Sequence, residues 1–426
     1  MEVKAGYRPT AVGAIPEDWA FDPLGAHALS TAYGPRFPGE NYDVHGNVAL
    51  LRTTDLDDEG HIHLEQMPLA NLSLTQFETH FLKANDFLVT RSGTCGLSAV
   101  FTGFEMPVLP GAFLIRIRLC EDVDPVFLKF FFNSECGKRY LQRLTEGGVQ
   151  KNIRGSALIE MPFPFPPSHE QRAIAEALSD MDTLLGGLDR LIAKKGDLKQ
   201  AAMQQLLTGQ TRLPGFFGEW QIKTFAELFH FSGGYSASRD QLSTAGFCYL
   251  HYGDIHTSNK SFVDVRAEFQ DIPKLNVALK RVAPTSLLED GDVVFVDASE
   301  DDDGASRHVV VINPDSIPLI AGLHTIVAKP KTDELSHAYR RHCFQTSDIK
   351  RQILFYAVGT KVTGISKTNI AKLKMPVPSV REQAAIAEVL ADMDAELATL
   401  EQRRSKTRAL KQAMMQELLT GRIRLV

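Results

Sequence analysis

The sequence is poor in the features that mark membrane, secreted and metal-bound proteins. No apolar run approaches the ~18 residues a membrane span requires. The cysteines, Cys95, Cys120, Cys136, Cys248 and Cys343, are scattered, odd in number and contain no C-x-x-C pair. That argues against a disulfide framework or a zinc site and predicts a reducing, cytoplasmic setting. The opening residues up to Trp19 mix Glu2, Lys4, Arg8, Glu17 and Asp18 with prolines, so they are not expected to form a signal peptide. Positive charge is not in excess either: 46 Lys and Arg face 52 Asp and Glu, a net charge of -6 over 426 residues. A partner such as nucleic acid must therefore be met by local charge, because the bulk balance would repel it.

Motifs of catalysis are also missing. Gly137-Lys138 is followed by Arg139 and lacks the upstream glycine of a phosphate-binding loop, and no G-x-G-x-x-G occurs. The Asn/Asp-Pro-Pro-aromatic loop of an adenine methyltransferase is absent; Pro166-Pro167 has the wrong neighbours. Pro314-Asp315 with Asp348-Ile349-Lys350 superficially matches a metal-dependent nuclease, but its acids fall in a predicted turn and a predicted helix. Glu300-Asp301-Asp302-Asp303-Gly304 lacks the alternating spacing of a calcium loop and reads as a solvated hairpin tip. His61-Ile62-His63 places two imidazoles on one strand face with no third ligand near, which reads as a surface strand. No catalytic residue and no metal ligand is expected.

What is present is a duplication. Glu170–Leu213 aligns without a gap to Glu382–Leu425, and about 25 of the 44 positions are identical. Upstream, Gly147, Ile153 and Pro164-Phe165-Pro166 fall on Gly359, Ile365 and Pro376-Val377-Pro378 at the same shift of 212. The only two tryptophans, Trp19 and Trp220, mark the beginnings. The chain thus reads as globe, helix, globe, helix, over residues 1–165, 166–212, 213–378 and 379–426.

Each repeated helix is predicted to start at a capping box, Ser168-x-x-Gln171 or Ser379-x-x-Glu382, and to stop at Gly209 or Gly421. Apolar residues step by four and three: Ile174, Leu178, Met181, Leu185 and Leu188, then Ile386, Leu390, Met393, Leu397 and Leu400. Such a heptad seam needs a partner. It packs either on its own globe or, in the sharper reading, on the other copy as an antiparallel pair. Arg403, Arg404, Lys406, Arg408 and Lys411 follow the second seam and read as a solvated or partner-facing end, while Gly186-Gly187 invites a bend in the first. Within the globes, residues 87–90, 113–117, 293–296 and 308–312 read as strands. Residues 125–143 and 335–355 read as one helix per globe. The fold class expected is α+β: two α/β globes and two long helices in an antiparallel coiled coil, with an internal pseudo-twofold repeat.

Pro-x-Pro-x-x-x-Glu-Gln opening a long Ala-Ile-Ala helix that ends in Leu-Leu-Thr-Gly, all written twice, resembles the specificity subunit of type I restriction–modification systems. The resemblance spans essentially the whole chain on Trp19, Glu170-Gln171, Leu206-Leu207-Thr208-Gly209, Trp220, Glu382-Gln383 and Leu418-Leu419-Thr420-Gly421. It implies a non-catalytic reader of double-stranded DNA, each globe a target-recognition domain for half of a split, asymmetric site. It further implies that the helices space the halves and dock two copies of a methyltransferase subunit. S-adenosylmethionine would then belong to those partners, and ATP and Mg2+ to a restriction/translocase subunit, with no cofactor in this chain. The alternatives are a scaffold that contacts only proteins, or a self-contained nuclease or methyltransferase.

Base readout needs donors and acceptors on loop tips. In the first globe the candidates are Tyr33, Arg36, Arg91, Ser92, Thr94, Lys151, Asn152 and Arg154; in the second, Tyr235, Ser236, His251, Tyr252, Arg307, Lys361 and Thr363. The loops of Lys151 and Lys361 adjoin the repeat and read as phosphate clamps.

Overall fold

A computed structural model describes residues 5–146, 152–257, 260–299, 307–357 and 363–425. The two repeated segments form long helices, Ser168–Leu207 and Val380–Leu418. The first runs unbroken through Gly186-Gly187. Gly209 and Gly421 take the left-handed backbone (φ +72° and +69°) that closes each helix. Chain contacts gather the protein into two units. One contains Met1–Arg190 with Gln402–Val426, the other Leu191–Glu401. Each unit therefore holds a globe, the first half of its own long helix and the last half of the other copy's helix.

Within the first unit the helix halves run antiparallel: Arg404 pairs with Asp189, Lys411 with Asp182, and Arg424 with Glu170, partners falling in number on one side as they rise on the other. The second unit repeats the pattern with Lys195–Glu396, Lys199–Asp394 and Arg212–Glu382. Ile174, Leu178, Leu185, Leu188, Ile386 and Leu390 of the seam are buried. Met181, Met393, Leu397 and Leu400 are half-buried. Ile174 and Leu178 join the core of the first globe together with Leu418 and Leu419. Ile386 and Leu390 do the same in the second with Leu206 and Leu207. Both packings weighed from the seam thus coexist, because the first turns of each helix face a globe and the other helix's end at once.

The charged run after Leu400 is not uniformly solvated: Lys411 is buried between Asp182 and Glu59, while Arg403, Lys406 and Arg408 are exposed. Burial opposes the lysine's charge, yet its hydrogen bonds to Asp182 and Glu59 hold its pKa above the ordinary lysine value. The capping boxes are not closed as drawn. Gln171 instead donates to the Asp122 and Pro166 carbonyls (3.1 and 2.8 Å) and accepts from Asp124 N at 2.8 Å. Gln383 makes the same set with Glu334 O, Pro378 O and Ser336 N. Asp124 and Ser336 each cap a short helix, so this amide ties two helix starts together.

The globes share one plan. In the first, a four-stranded antiparallel sheet runs Ala28–Tyr33, Leu114–Leu119, Phe87–Thr90, Ser98–Val100. The second has Phe229–Gly233, Thr325–Pro330, Val293–Val296 and His308–Ile312 in the same order, extended by Phe262–Asp264. The single helix expected in each globe is two: Pro125–Asn133 and Glu135–Leu141, then His337–Cys343 and Ser347–Tyr356. The breaks fall where Ser134 and Thr346 leave helical geometry and cap the following helix through their hydroxyls. His61-Ile62-His63 is not a strand. Ile62 makes a lone bridge to Leu56, and His61 sits against Asp57 and Asp182.

The deepest shared element is a buried carboxylate. Glu170 is fully buried, accepts from Trp19 Nε1 at 3.0 Å and is gripped by Arg424, whose Nη2 lies 2.8 Å away. Glu382 repeats this with Trp220 at 3.0 Å and Arg212 at 2.7 Å. In both, the tryptophan comes from the same repeat and the arginine from the other. Arg424→Ala leaves Glu170 buried without its cation, a loss of roughly 3 kcal/mol by the usual penalty for breaking a buried pair. Urea unfolding should register that loss, with Arg212→Ala giving a comparable one; an unchanged midpoint in both would show the carboxylates to be inessential.

His342 adds a pH dependence. Its ring is buried, its Nδ1 has no hydrogen-bond partner, and burial lowers its pKa from the ordinary 6.5 to about 4. The neutral ring is the native form, so its contribution is complete above pH 6.5 and is lost as pH falls through 4, a total of roughly 3 kcal/mol. His342→Phe, which copies Phe130 at the matching place in the first globe, should flatten the fall in unfolding free energy between pH 6.5 and 4 relative to the parent.

Candidate nucleic-acid interface

In the first unit, Phe87–Thr90 is wholly buried and delivers Arg91 at its end. Arg91 N donates to Phe113 O (2.9 Å), and its carbonyl accepts from Ile153 N (2.9 Å), so the backbone here is pinned on both sides. Tyr33 ends the edge strand Ala28–Tyr33, which lies beyond Leu114–Leu119, and its hydroxyl accepts from Gly155 N at 2.8 Å. The chain after Tyr33 packs tightly on its neighbour, since a side chain at Gly34 would strike the Pro110 and Gly111 carbonyls at 2.1 and 2.2 Å. The Arg91 guanidinium then lies 4.4 Å over the Tyr33 ring, with Nε donating to Asn152 Oδ1 at 3.3 Å. A planar cation stacked and braced in this way is pre-aimed, with its terminal nitrogens left for a ligand.

A hollow of about 210 Å³ opens there, lined by Arg36, Arg91, Ser92, Ala112, Phe113 and Asn152. The structure thus gathers Tyr33, Arg36, Arg91, Ser92 and Asn152 at one place. Thr94 is exposed on the adjoining loop, its carbonyl taken by the Thr90 hydroxyl. Arg154 is exposed just before the short helix Gly155–Glu160. Lys151 lies outside the described residues.

In the second unit, Tyr235 is pinned by its N–H to Ala321 O at 2.7 Å, and Ser236 beside it is exposed. His251 is buried, and its Nδ1 accepts from Gly253 N at 3.0 Å. Burial and then the nearby Arg239 cation lower its pKa, which favours the neutral ring. Its ring lies 4.6 Å from Tyr252, which in turn meets His324 edge-on at 5.4 Å. Arg307 donates to the carbonyl of His256, so part of its guanidinium holds the end of the helix Tyr252–Thr257. Thr363 pairs with Ser299 in a short ladder, and Lys361 lies outside the described residues, as does the acidic run Glu300–Gly304.

Sequence reading missed Asp297 and His324. Asp297 directly follows the buried strand Val293–Val296, as Arg91 follows Phe87–Thr90. That position after an apolar strand was the signal available. His324 holds a left-handed backbone (φ +58°) at an exposed turn tip, an unusual conformation for a residue other than glycine. The nuclease-like acids have other partners, Asp315 with Arg266 and Asp348 with Arg351. Among the described residues no group of three or more His, Cys, Asp or Glu could hold a metal ion. Among them, too, no helix is long and apolar enough to cross a membrane.

The sequence profile described as "Type I restriction modification DNA specificity domain" matches residues 29–192 and 218–408. The MjaVIII specificity subunit, a type I restriction enzyme component of Methanocaldococcus jannaschii, is 23% identical over 366 residues, covering 80% of this chain and 79% of its own. The crystal structure of the S subunit of a type I restriction–modification system from M. genitalium aligns at a TM-score of 0.56 and 17% identity, over 98% of both chains. A chain from a type I system solved for its assembly and conformational transition aligns at 0.59 and 17%, over 96% of this chain and 99% of its own. These likenesses establish the fold.

Arg91→Ala is expected to weaken binding to duplex DNA and to relax base preference at one position, by about 1–3 kcal/mol. Gel shifts on matched and mismatched duplexes would measure both effects, and equal binding by variant and parent across them would discard the assignment.

Proposed function

Because the chain belongs to the type I restriction–modification DNA-specificity family, we propose that it reads a bipartite, asymmetric DNA site, one half with each unit. The observation that carries this reading is the duplicated architecture. Trp19–Glu170–Arg424 and Trp220–Glu382–Arg212 are one device built twice, whereas the strand ends and loops around Arg91 and Asp297 differ. A fixed frame carrying two unlike reading edges suits a target whose halves differ in sequence. Phosphate contacts would set register, and base contacts would supply identity.

On this reading the paired helices set the half-site spacing, as protein symmetry does for paired DNA readers. Their repeated outward faces would dock two methyltransferase subunits, and through them the restriction/translocase subunit. The leucines Leu198 and Leu410, equivalent in the repeat, are 47% and 55% exposed, which supplies one matching apolar contact for each of two identical partners. The chain itself would perform no reaction. S-adenosylmethionine would be held by the methyltransferase, and ATP and Mg2+ by the motor.

Co-expression with the methyltransferase partner, followed by mapping of methylated adenines in the host DNA, tests the reading. The expected result is a motif of two specific blocks separated by a fixed unspecific gap. A single uninterrupted motif, or methylation independent of this chain, would sink it.

A further inference from the structure

Strand pairing places the two units in residue-by-residue correspondence. Thr90 pairs with Leu114, and Val296 with Thr325, so the next residues, Arg91 and Asp297, are equivalent. Their backbones make the same bonds. Arg91 N reaches Phe113 O and Asp297 N reaches His324 O at 3.1 Å, while Ile153 N and Ile365 N donate back to Arg91 O and Asp297 O. Tyr33 lies opposite Ile115, and Gly233 opposite Ile326. Where the first unit carries a guanidinium over a tyrosine, the second therefore carries a carboxylate beside an imidazole, with glycine in the tyrosine's place.

We propose that Asp297, positioned by His324, is the base-reading acceptor of the second unit and takes the exocyclic amine of a cytosine, the opposite hydrogen-bonding sense to Arg91. This rests on the reading of each unit as one half-site reader. A carboxylate only accepts, and in the major groove cytosine N4 presents only a donor, whereas arginine suits the two acceptors of guanine. Asp297's structural duties fall on its backbone, which leaves the side chain available. Its Oδ1 is buried 3.3 Å from His324 Nδ1 without an aligned hydrogen bond, while about a third of the side chain stays exposed, which leaves the carboxylate's outer edge to meet a base. The imidazole that would orient it is half-exposed on a backbone that histidine adopts only at a cost, and it is steadied by the Tyr252 ring. An anion here opposes phosphate, so a backbone contact at this place is unfavourable. Phosphate binding would fall to neighbours such as Lys367, whose Nζ lies 3.7 Å from where a Gly233 side chain would begin.

The test is selection of a randomised duplex library by the full chain with its methyltransferase partner, followed by sequencing. Asp297→Asn should cost roughly tenfold in preference for cytosine at one position of one half, with the other half unchanged. His324→Gly, which relieves the left-handed backbone, should reduce preference at that same position, and it decides the matter if Asp297→Asn does not melt like the parent. An unchanged motif, or loss of both halves together in a folded variant, overturns the assignment. A parent that enriches no motif at all overturns the DNA-reading proposal beneath it.

Discussion

The architecture depends on a carboxylate that cannot remain buried alone. Glu170 and Glu382 sit at the first turns of the long helices, beneath a tryptophan of the same repeat, where an unpaired charge would be costly. The cation arrives from the far end of the other repeat, Arg424 for one and Arg212 for the other. Neither repeat is complete by itself. Donating hydrogen bonds to Glu170 and then to Asp18 raises the already high pKa of Arg424, so the guanidinium of this link stays charged at any accessible pH.

Around that link, apolar packing and polar ties act in the same place. Leu418 and Leu419 enter the first core beside Trp19, while Leu206 and Leu207 enter the second, with Trp220 packed against it. The glutamine next to each buried glutamate fastens the long helix to the cap of a short one. Concentrating these bonds at the frame leaves the strand ends free to vary. Arg91 and Asp297 show the consequence: identical backbone bonding, opposite side-chain chemistry. Under the proposed function, two unlike half-sites would call for that separation between what is held fixed and what is changed.

The frame was far more readable than the reading edge. The duplicated helices announce themselves by periodicity, and their glycine stops hold the expected left-handed backbone. The strands 87–90 and 293–296 are visible because short runs rich in apolar, β-branched residues (Phe-Leu-Val-Thr and Val-Val-Phe-Val) fit a strand buried on both faces. The break at Ser134 was not visible, since Pro125–Leu141 is apolar enough to read as one helix and only the hydroxyl cap shows otherwise. A forked donor on a loop marks Arg91 in the sequence, whereas the linear pattern gives Asp297 nothing beyond its place after an apolar strand, and only its ladder position aligns it with Arg91.

By itself, then, the sequence determined two globes, two long helices and their need for a partner, because hydrophobic period and helix stops are local properties of the chain. Only the tertiary structure decided that each helix completes the other copy's unit, that Lys411 is buried rather than solvated, and that a carboxylate and a guanidinium occupy matching places. Those facts depend on which residues meet across hundreds of positions, and linear spacing carries no record of such meetings.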